Sequence, residues 1–286
     1  MAVSQETDFG TLQGRLQLVR LLDIAPDLAR GIDDGAREAA REVLVVRTLD
    51  FDSGHWQPPP KEGLLGFLVL DGFLVRYADI GSTNAAELRG PGDLLRPWDD
   101  DTDDGLIPVS SRLTALTSGR LAELDTRFLE SAAQFPGLLR ALAARMTHRT
   151  RCATILAAIG HMKRVEDRLV VFFGLLGGEW GRVSPDGIVL PMPMSHALIA
   201  DFVGAERPSV TTSLGRLRES GLVTRRPDRT WVLGHDIGKA ANERVLRDQL
   251  DHTPELAAES GALSAQARQA ISHSRAAVDR QRANNP

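Results

Sequence analysis

Only one cysteine, Cys152, occurs in the 286 residues. No intramolecular disulfide is possible, no cysteine cluster can hold zinc, and no iron–sulfur cluster finds its ligands. Long apolar runs are missing too, and none approaches the length of a membrane span. Met1 to Gly10 is polar and acidic, without the apolar centre of a secretory signal. Together these absences point to a cytoplasmic chain without a membrane. The motifs of common enzymes are also absent: there is no nucleophile elbow, no HExxH, and no P-loop, since the glycines at Gly174–Gly178 lack the required lysine. Catalysis is therefore not expected, and neither is a metal ion or cofactor. A basic excess is lacking as well. The formal net charge is −4, which by itself disfavours nucleic acid as a partner.

The charge is unevenly spread. Asp99, Asp100, Asp101, Asp103 and Asp104 crowd one stretch, which reads either as a solvated acidic loop or as a chelate for a hard cation. Between Ala205 and Trp231 the balance reverses. Arg207, Arg216, Arg218, Arg225, Arg226 and Arg229 face only Glu206, Glu219 and Asp228. A local positive face is what DNA requires, not a basic chain.

Apolar residues make up 42% of the chain and charged ones 25%, a composition that supports two domains with real cores. From Leu18 to Leu124 short apolar runs, such as Val43–Val46 and Leu64–Leu70, alternate with glycine and proline clusters, as in a barrel or jelly roll. Asp71-Gly72 between two apolar runs predicts a hairpin. A helix over Asp34–Arg41 precedes these strands, and a short helix over Asp125–Ala133 closes them. From Pro136 to about Lys163 a longer helix follows, with Leu139, Leu142, Met146, Ala153, Leu156 and Gly160 along one stripe. It either packs only on its own domain or is shared across a dimer axis. Val165–Leu176 predicts another amphipathic helix, and Pro185-Asp186-Gly187 a turn between strands. Beyond Asp236 the chain is rich in Ala, Arg, Gln and Ser, with helical potential over Ala240–Leu250 and Ser264–Arg282.

The residues between Met192 and Gly234 carry the most specific pattern. Ser195 suits a helix N-cap, with Leu198, Ile199, Phe202 and Val203 behind it and Gly204 as its stop. Ala205-Glu206-Arg207 makes a short link. Pro208 fits the first turn of a second helix, which turns Val210, Leu214 and Leu217 inward. Its other face offers Arg207, Ser209, Thr211, Thr212 and Arg216. Two strand-like segments, Leu222–Arg226 and Thr230–Leu233, flank the turn Pro227-Asp228-Arg229 and make a wing carrying Arg225, Arg226 and Arg229. A helix fits the major groove, arginine bonds guanine bidentately, and hydroxyls reach bases or phosphates.

The stretch from Leu198 to Gly204, then Arg207-Pro208-Ser209-Val210-Thr211, then Leu214, Leu217 and Gly221-Leu222-Val223, resembles the CRP/FNR family of transcription regulators. The resemblance implies an α+β fold: an N-terminal β-roll or jelly-roll sensor domain (15–133), a long dimerisation helix (134–163), a C-terminal winged helix-turn-helix (164–236) and a tail (237–286) that is partly helical or disordered. It implies a homodimer on a pseudo-palindromic double-stranded DNA operator. RNA polymerase and an unknown small-molecule effector stand as further candidate partners.

The family's cyclic-nucleotide cassette is altered in this sequence. Pro91-Gly92-Asp93-Leu94-Leu95 matches the approach to it, but Arg96-Pro97 stands where a ribose-binding Gly-Glu pair belongs. Val109 stands where a phosphate-binding arginine belongs. A buried phosphate without a cation is unfavourable, so control by cAMP is not expected. Arg96, Trp98, Ser110 and Arg112 remain as lining for a remodelled pocket. His55, His148 and His161 read as structural or solvent-facing rather than as haem ligands. The rival readings are a protein-interaction or effector-binding scaffold, and a nucleotide sensor with an altered pocket.

Overall fold

The computed structural model describes residues 17–56, 63–81, 83–96 and 110–249. Trp98, Val109, the aspartate run at Asp99–Asp104 and the chain beyond Gln249 lie outside them.

Among the described residues nine strands form the N-terminal roll: β1 (Gln17–Arg20), β2 (Val45–Phe51), β3 (Gly54–His55), β4 (Gly66–Asp71), β5 (Leu74–Ile80), β6 (Thr83–Arg89), β7 (Leu94–Leu95), β8 (Ser110–Ala115) and β9 (Gly119–Leu124). They make two antiparallel sheets, ordered β1-β2-β9-β4-β7 and β3-β8-β5-β6. Phe51, Phe67, Val69, Leu74, Leu95, Leu113 and Leu121 fill the space between them. The alternation of buried and exposed residues along β2 shows why one face of such a strand must be covered.

Asp71-Gly72 does not close a hairpin. β4 is paired with β9 and β7, while β5 is paired with β8 and β6. The dipeptide is instead a corner at which the chain leaves one sheet for the other. The β8–β9 link bends beside it, with Phe73 N donating to Thr117 Oγ1 at 3.0 Å. Gly72 has a φ of +86°, and a Cβ there would crowd the Ser118 carbonyl and the Gly119 Cα. A turn glycine thus marks the reversal, but the edges of both flanking strands are already taken by non-local partners.

The first helical segments differ slightly from expectation. A 3-10 turn at Asp34–Ala36 leads into α2 (Arg37–Val43), after a single turn α1 (Leu21–Ile24). The closing helix α3 (Thr126–Ala132) is capped by Asp125, whose carboxylate accepts from Phe128 N at 3.0 Å.

The long helix α4 spans Pro136–His161 and α5 spans Val165–Trp180. The stripe expected on α4 is divided between two surroundings. Leu142, with its neighbour Leu138, is buried on the roll. Leu139 and Met146 are 39% and 56% exposed. α5 carries Gly174 and Gly177 where neighbours leave little room for a side chain: a Cβ on Gly174 would lie 2.9 Å from Ala241 Cβ, and one on Gly177 3.0 Å from Leu233 Cδ1.

The C-terminal body adds β10 (Arg182–Ser184), β11 (Gly187–Leu190), α6 (His196–Val203), α7 (Arg207–Glu219), β12 (Val223–Arg225) and β13 (Trp231–Leu233). Its sheet has the order β10-β11-β13-β12. A further helix, α8, runs over residues 237–249. The first part of the expected tail therefore belongs to this body: Ile237 and Ala240 are buried, and Arg244 Nε lies 3.4 Å from Asp167 Oδ1. One core joins the two halves, since Phe73, Val75, Ala86 and Leu88 of the roll share a cluster with α5, α6 and α7. Among the described residues no helix is long and apolar enough to cross a membrane.

Candidate nucleic-acid interface

The helix pair forms as its local chemistry dictates. Ser195 Oγ accepts from Leu198 N at 3.1 Å and caps α6. Gly204 ends it in the left-handed region, φ +59° and ψ +48°. α7 begins at Arg207, one residue earlier than the link implied by the sequence, with Pro208 in its first turn. Leu198, Ile199, Phe202 and Val203 of α6 meet Val210, Leu214 and Leu217 of α7 in one buried cluster. The inward set is the expected one.

The outward set is also as expected. Arg207, Ser209, Thr211, Thr212 and Arg216 all sit on the open side of α7. Their hydroxyls are not equally free. Thr211 Oγ1 is 3.0 Å from Arg207 O and 3.0 Å from His196 Nδ1, while Thr212 Oγ1 donates to Pro208 O at 3.1 Å. Arg216 leans toward Glu166 at 3.8 Å and its side chain stays 66% exposed. His196 is a member that sequence reasoning missed. It opens α6 and links it to α7 through Thr211. Burial, then the charges of Arg225 and Arg207, hold its imidazole below its usual range. These effects favour its neutral form.

In the wing, β12 and β13 pair antiparallel. Arg226 N donates to Thr230 O at 2.8 Å. Asp228 Oδ1 accepts from both Thr230 N and Thr230 Oγ1, at 2.9 and 2.6 Å, which holds its carboxyl below the usual range. These bonds close a loop in which Arg229 takes a φ of +70°. The three wing arginines are differently placed. The Arg225 guanidinium lies 5.6 Å from the centre of the Trp231 ring, and Arg226 Nη2 is 3.5 Å from Asp186 Oδ2 on the β10–β11 turn. Arg229 is exposed at the tip.

A second feature lies between the roll and α4. A cavity of about 350 Å³ is lined by Arg76, Arg89, Arg96, Arg145 and Arg149, with Glu87 the one carboxylate among the described residues of its wall. Glu87 is already engaged, by Arg89 Nη2 at 2.7 Å and Arg149 Nε at 3.0 Å. Arg145 Nη1 donates to Gly92 O at 3.0 Å and its other arm meets Asp27. Arg89 Nε is buried without a hydrogen-bond partner among the described residues. Burial, with Arg149 opposing too, pushes the Arg89 guanidinium down, while Glu87 and Asp93 resist. Burial pushes Asp93 up against the pull of Arg149 and the Gly90 N–H.

Of the four residues the sequence offered for a pocket, Arg96 lines this cavity. Arg112 does not; it lies 3.3 Å from Asp79 Oδ2 and 3.7 Å from the centre of the Tyr77 ring. Ser110 opens β8 at the edge of the described residues, and Trp98 lies outside them. Sequence reasoning missed Arg76 and Arg89, which face the cavity from β5 and β6. It missed Arg145 and Arg149 too, although their spacing of four places them on one helix face.

Comparison with known proteins agrees with this architecture. The family model of the Crp-like helix-turn-helix domain matches residues 151–237. The global nitrogen regulator of Synechococcus elongatus is 32% identical over 111 residues, covering 38% of this chain and 50% of that protein. Regulatory protein CysR of the same organism is 29% identical over 161 residues, or 55% of this chain and 69% of the relative. The chain thus spans about half the length of the first of these relatives and about two thirds of the second. A transcriptional regulator of the CRP/FNR family from Thermus thermophilus superposes with a TM-score of 0.50 at 20% identity, over 69% of this chain and 99% of the other. At that identity the likeness establishes the fold.

Proposed function

This chain has the CRP/FNR fold and carries a Crp-like helix-turn-helix domain, and from that premise we propose that it regulates transcription by binding double-stranded DNA as a homodimer. The observation that carries the reading is the outward face of α7. Arg207, Ser209, Thr211, Thr212 and Arg216 lie together on its open side, beside a wing that presents Arg225, Arg226 and Arg229. The face is cationic and hydroxylic, so it suits a nucleic acid rather than an apolar protein surface, which disfavours the scaffold reading. α7 enters the major groove with its N-terminal residues toward base edges, and the wing holds the flanking phosphates. Since Arg226 is shared with Asp186, Arg229 is the freer phosphate ligand.

The dimer is read from α4. Leu139, Ala143, Met146, Thr150, Ala153 and Ala157 follow one another at spacings of four and three, the pattern of a helix–helix seam. Leu139, Ala143, Met146, Thr150 and Ala157 are exposed and Ala153 is half-buried. A two-fold pairing of α4 with a second copy covers them. Light scattering at micromolar concentration should show a dimer, and Leu139→Glu should shift it to monomer by placing a charge in the seam. Selection from random duplexes should return pseudo-palindromes with half-sites about 34 Å apart. A wild-type monomer, or asymmetric single half-sites only, defeats the reading.

The cavity between roll and α4 is read as the effector seat. Five arginines around one engaged carboxylate suit a compact anion carrying two or more charges. cAMP, with a single charge, is a poor match, and both Glu87 oxygens are already engaged by arginines. Titration calorimetry should show citrate or pyrophosphate binding at least about tenfold more tightly than cAMP. Tighter cAMP binding would instead favour a nucleotide sensor.

A further inference from the structure

The middle of α4 and the end of α5 bring three donor side chains together. His148 and Cys152 stand one turn apart on α4, a spacing that puts both on one face, and Glu179 reaches them from the last turn of α5. One ligand atom from each lies within 4.8 Å of the others. His148 Nε2 is 3.6 Å from Cys152 Sγ, and 3.1 and 2.9 Å from Glu179 Oε1 and Oε2. A sulfur and two oxygens thus crowd a single ring nitrogen. One N–H proton has one direction and satisfies one of them, while the Cys152 thiol hydrogen-bonds to Glu179.

A cation at the centre satisfies all three. In tetrahedral zinc sites the Zn–S bond is about 2.3 Å and the Zn–N bond about 2.0–2.1 Å, so sulfur and nitrogen stand about 3.6 Å apart. That is the separation of Sγ and Nε2 found between His148 and Cys152. The corresponding nitrogen–oxygen edge is about 3.4 Å, a few tenths longer than the present contact. The exposed His148 ring and the half-buried Glu179 side chain can open to it. We propose that His148, Cys152 and Glu179 form a binding site for one divalent transition-metal ion, with zinc as the best-fitting occupant. Cys152 supplies the thiolate from the protein side, where it is 5% exposed, and its proton goes to solvent on binding. The solvent side at His148 leaves the fourth position to water, as in zinc sites with three protein ligands.

The location gives such an ion a mechanical role. In the chain, α4 passes into α5 through the turn at residues 162–164. The ion ties the two helices a second time, about as far from that turn as α5 is long, between the helix of the proposed dimer seam and the first helix of the C-terminal body. The donors lie off the face that carries Leu139, Met146 and Ala153, so the site remains open whether or not the dimer forms. It stands independently of the DNA-binding reading.

The test uses the full chain, stripped with a chelator and titrated with Co²⁺. The expected result is one Co²⁺ per chain, with a thiolate-to-cobalt charge-transfer band and the visible bands of tetrahedral cobalt, both bleached by Zn²⁺. Cys152→Ser should remove the charge-transfer band. Since Cys152 is buried and its variant could misfold, His148→Ala and Glu179→Gln, both nearer the surface, supply the second measurement. Each should weaken Zn²⁺ at least about tenfold in competition with a chromophoric chelator. Cobalt that binds without a charge-transfer band, or zinc affinity unchanged in both His148→Ala and Glu179→Gln, would show an ordinary His–Glu ion pair and overturn the proposal.

Discussion

Raising the salt from 50 to 200 mM should weaken binding to the selected operator by about 10⁴-fold. The argument starts from exposure. Arg207, Arg216, Arg218, Arg225, Arg226 and Arg229 all lie on α7 and the wing, with Arg226 half-buried. If roughly four of these meet phosphates in each subunit, a dimer neutralises about eight, and the slope of log K against log salt is about −7. A fourfold rise in salt then costs about four powers of ten. The chain's net charge of −4 does not cancel this, because counterions are released from the DNA where arginines touch it. The single substitutions divide the effect. Arg229→Ala should lower the slope by about one unit for each subunit and weaken all sequences alike, while Arg207→Ala should cost about 1–3 kcal/mol and relax one operator position. Arg226→Ala should change the slope less than Arg229→Ala, since Asp186 already shares its charge. Fluorescence anisotropy over a salt series reads all of these, and a wild-type slope shallower than about −2 would refute a phosphate-holding interface.

The parts of this molecule that were legible in the sequence are those fixed by local rules. Ser195, Gly204 and Pro208 act within one turn of helix, and the structure places each at the expected cap or first turn. The inward and outward faces of α7 followed from helical spacing alone. What escaped was non-local. Asp71-Gly72 carries a hairpin signal, yet β4 and β5 pair with β9 and β8, and no local pattern names a strand's partner. The α4 stripe was read as one surface, although Leu142 turns to the roll and Met146 away from it. The cavity arginines come from β5, β6, the end of β7 and α4, so their meeting is a property of the roll rather than of any motif. His196 and Thr211, fifteen residues apart, meet only because two helices cross. The same holds for the metal-like cluster: a lone cysteine offers nothing in sequence, and its two companions arrive through an i,i+4 spacing and a second helix.

Trp231→Ala should destabilise the C-terminal body by about 3–5 kcal/mol and abolish operator binding at 37 °C. Trp231 is 2% exposed, in the middle of the sheet that carries the wing. Its ring lies 5.3 Å from that of Phe173 on α5 and 6.0 Å from His196 on α6. Its Nε1 donates to Met194 O at 3.3 Å, just before the Ser195 cap. One side chain therefore holds together the wing, the first helix of the pair and the helix that joins this body to α4. Truncation leaves a cavity too enclosed to collapse, and an acceptor without its donor. Trp231→Phe separates the two costs: it keeps most of the apolar contact, loses the hydrogen bond, and should cost about 1–2 kcal/mol. The core of the roll between its two sheets, built on Phe51, Phe67 and Leu121, does not include Trp231, whereas Phe73 and Val75 share its cluster. Thermal unfolding of Trp231→Ala should accordingly begin at a lower temperature than in the wild type, in the winged body and the part of the roll that shares its core. A single transition at the wild-type temperature, with operator affinity retained, would show that the winged body does not depend on this contact.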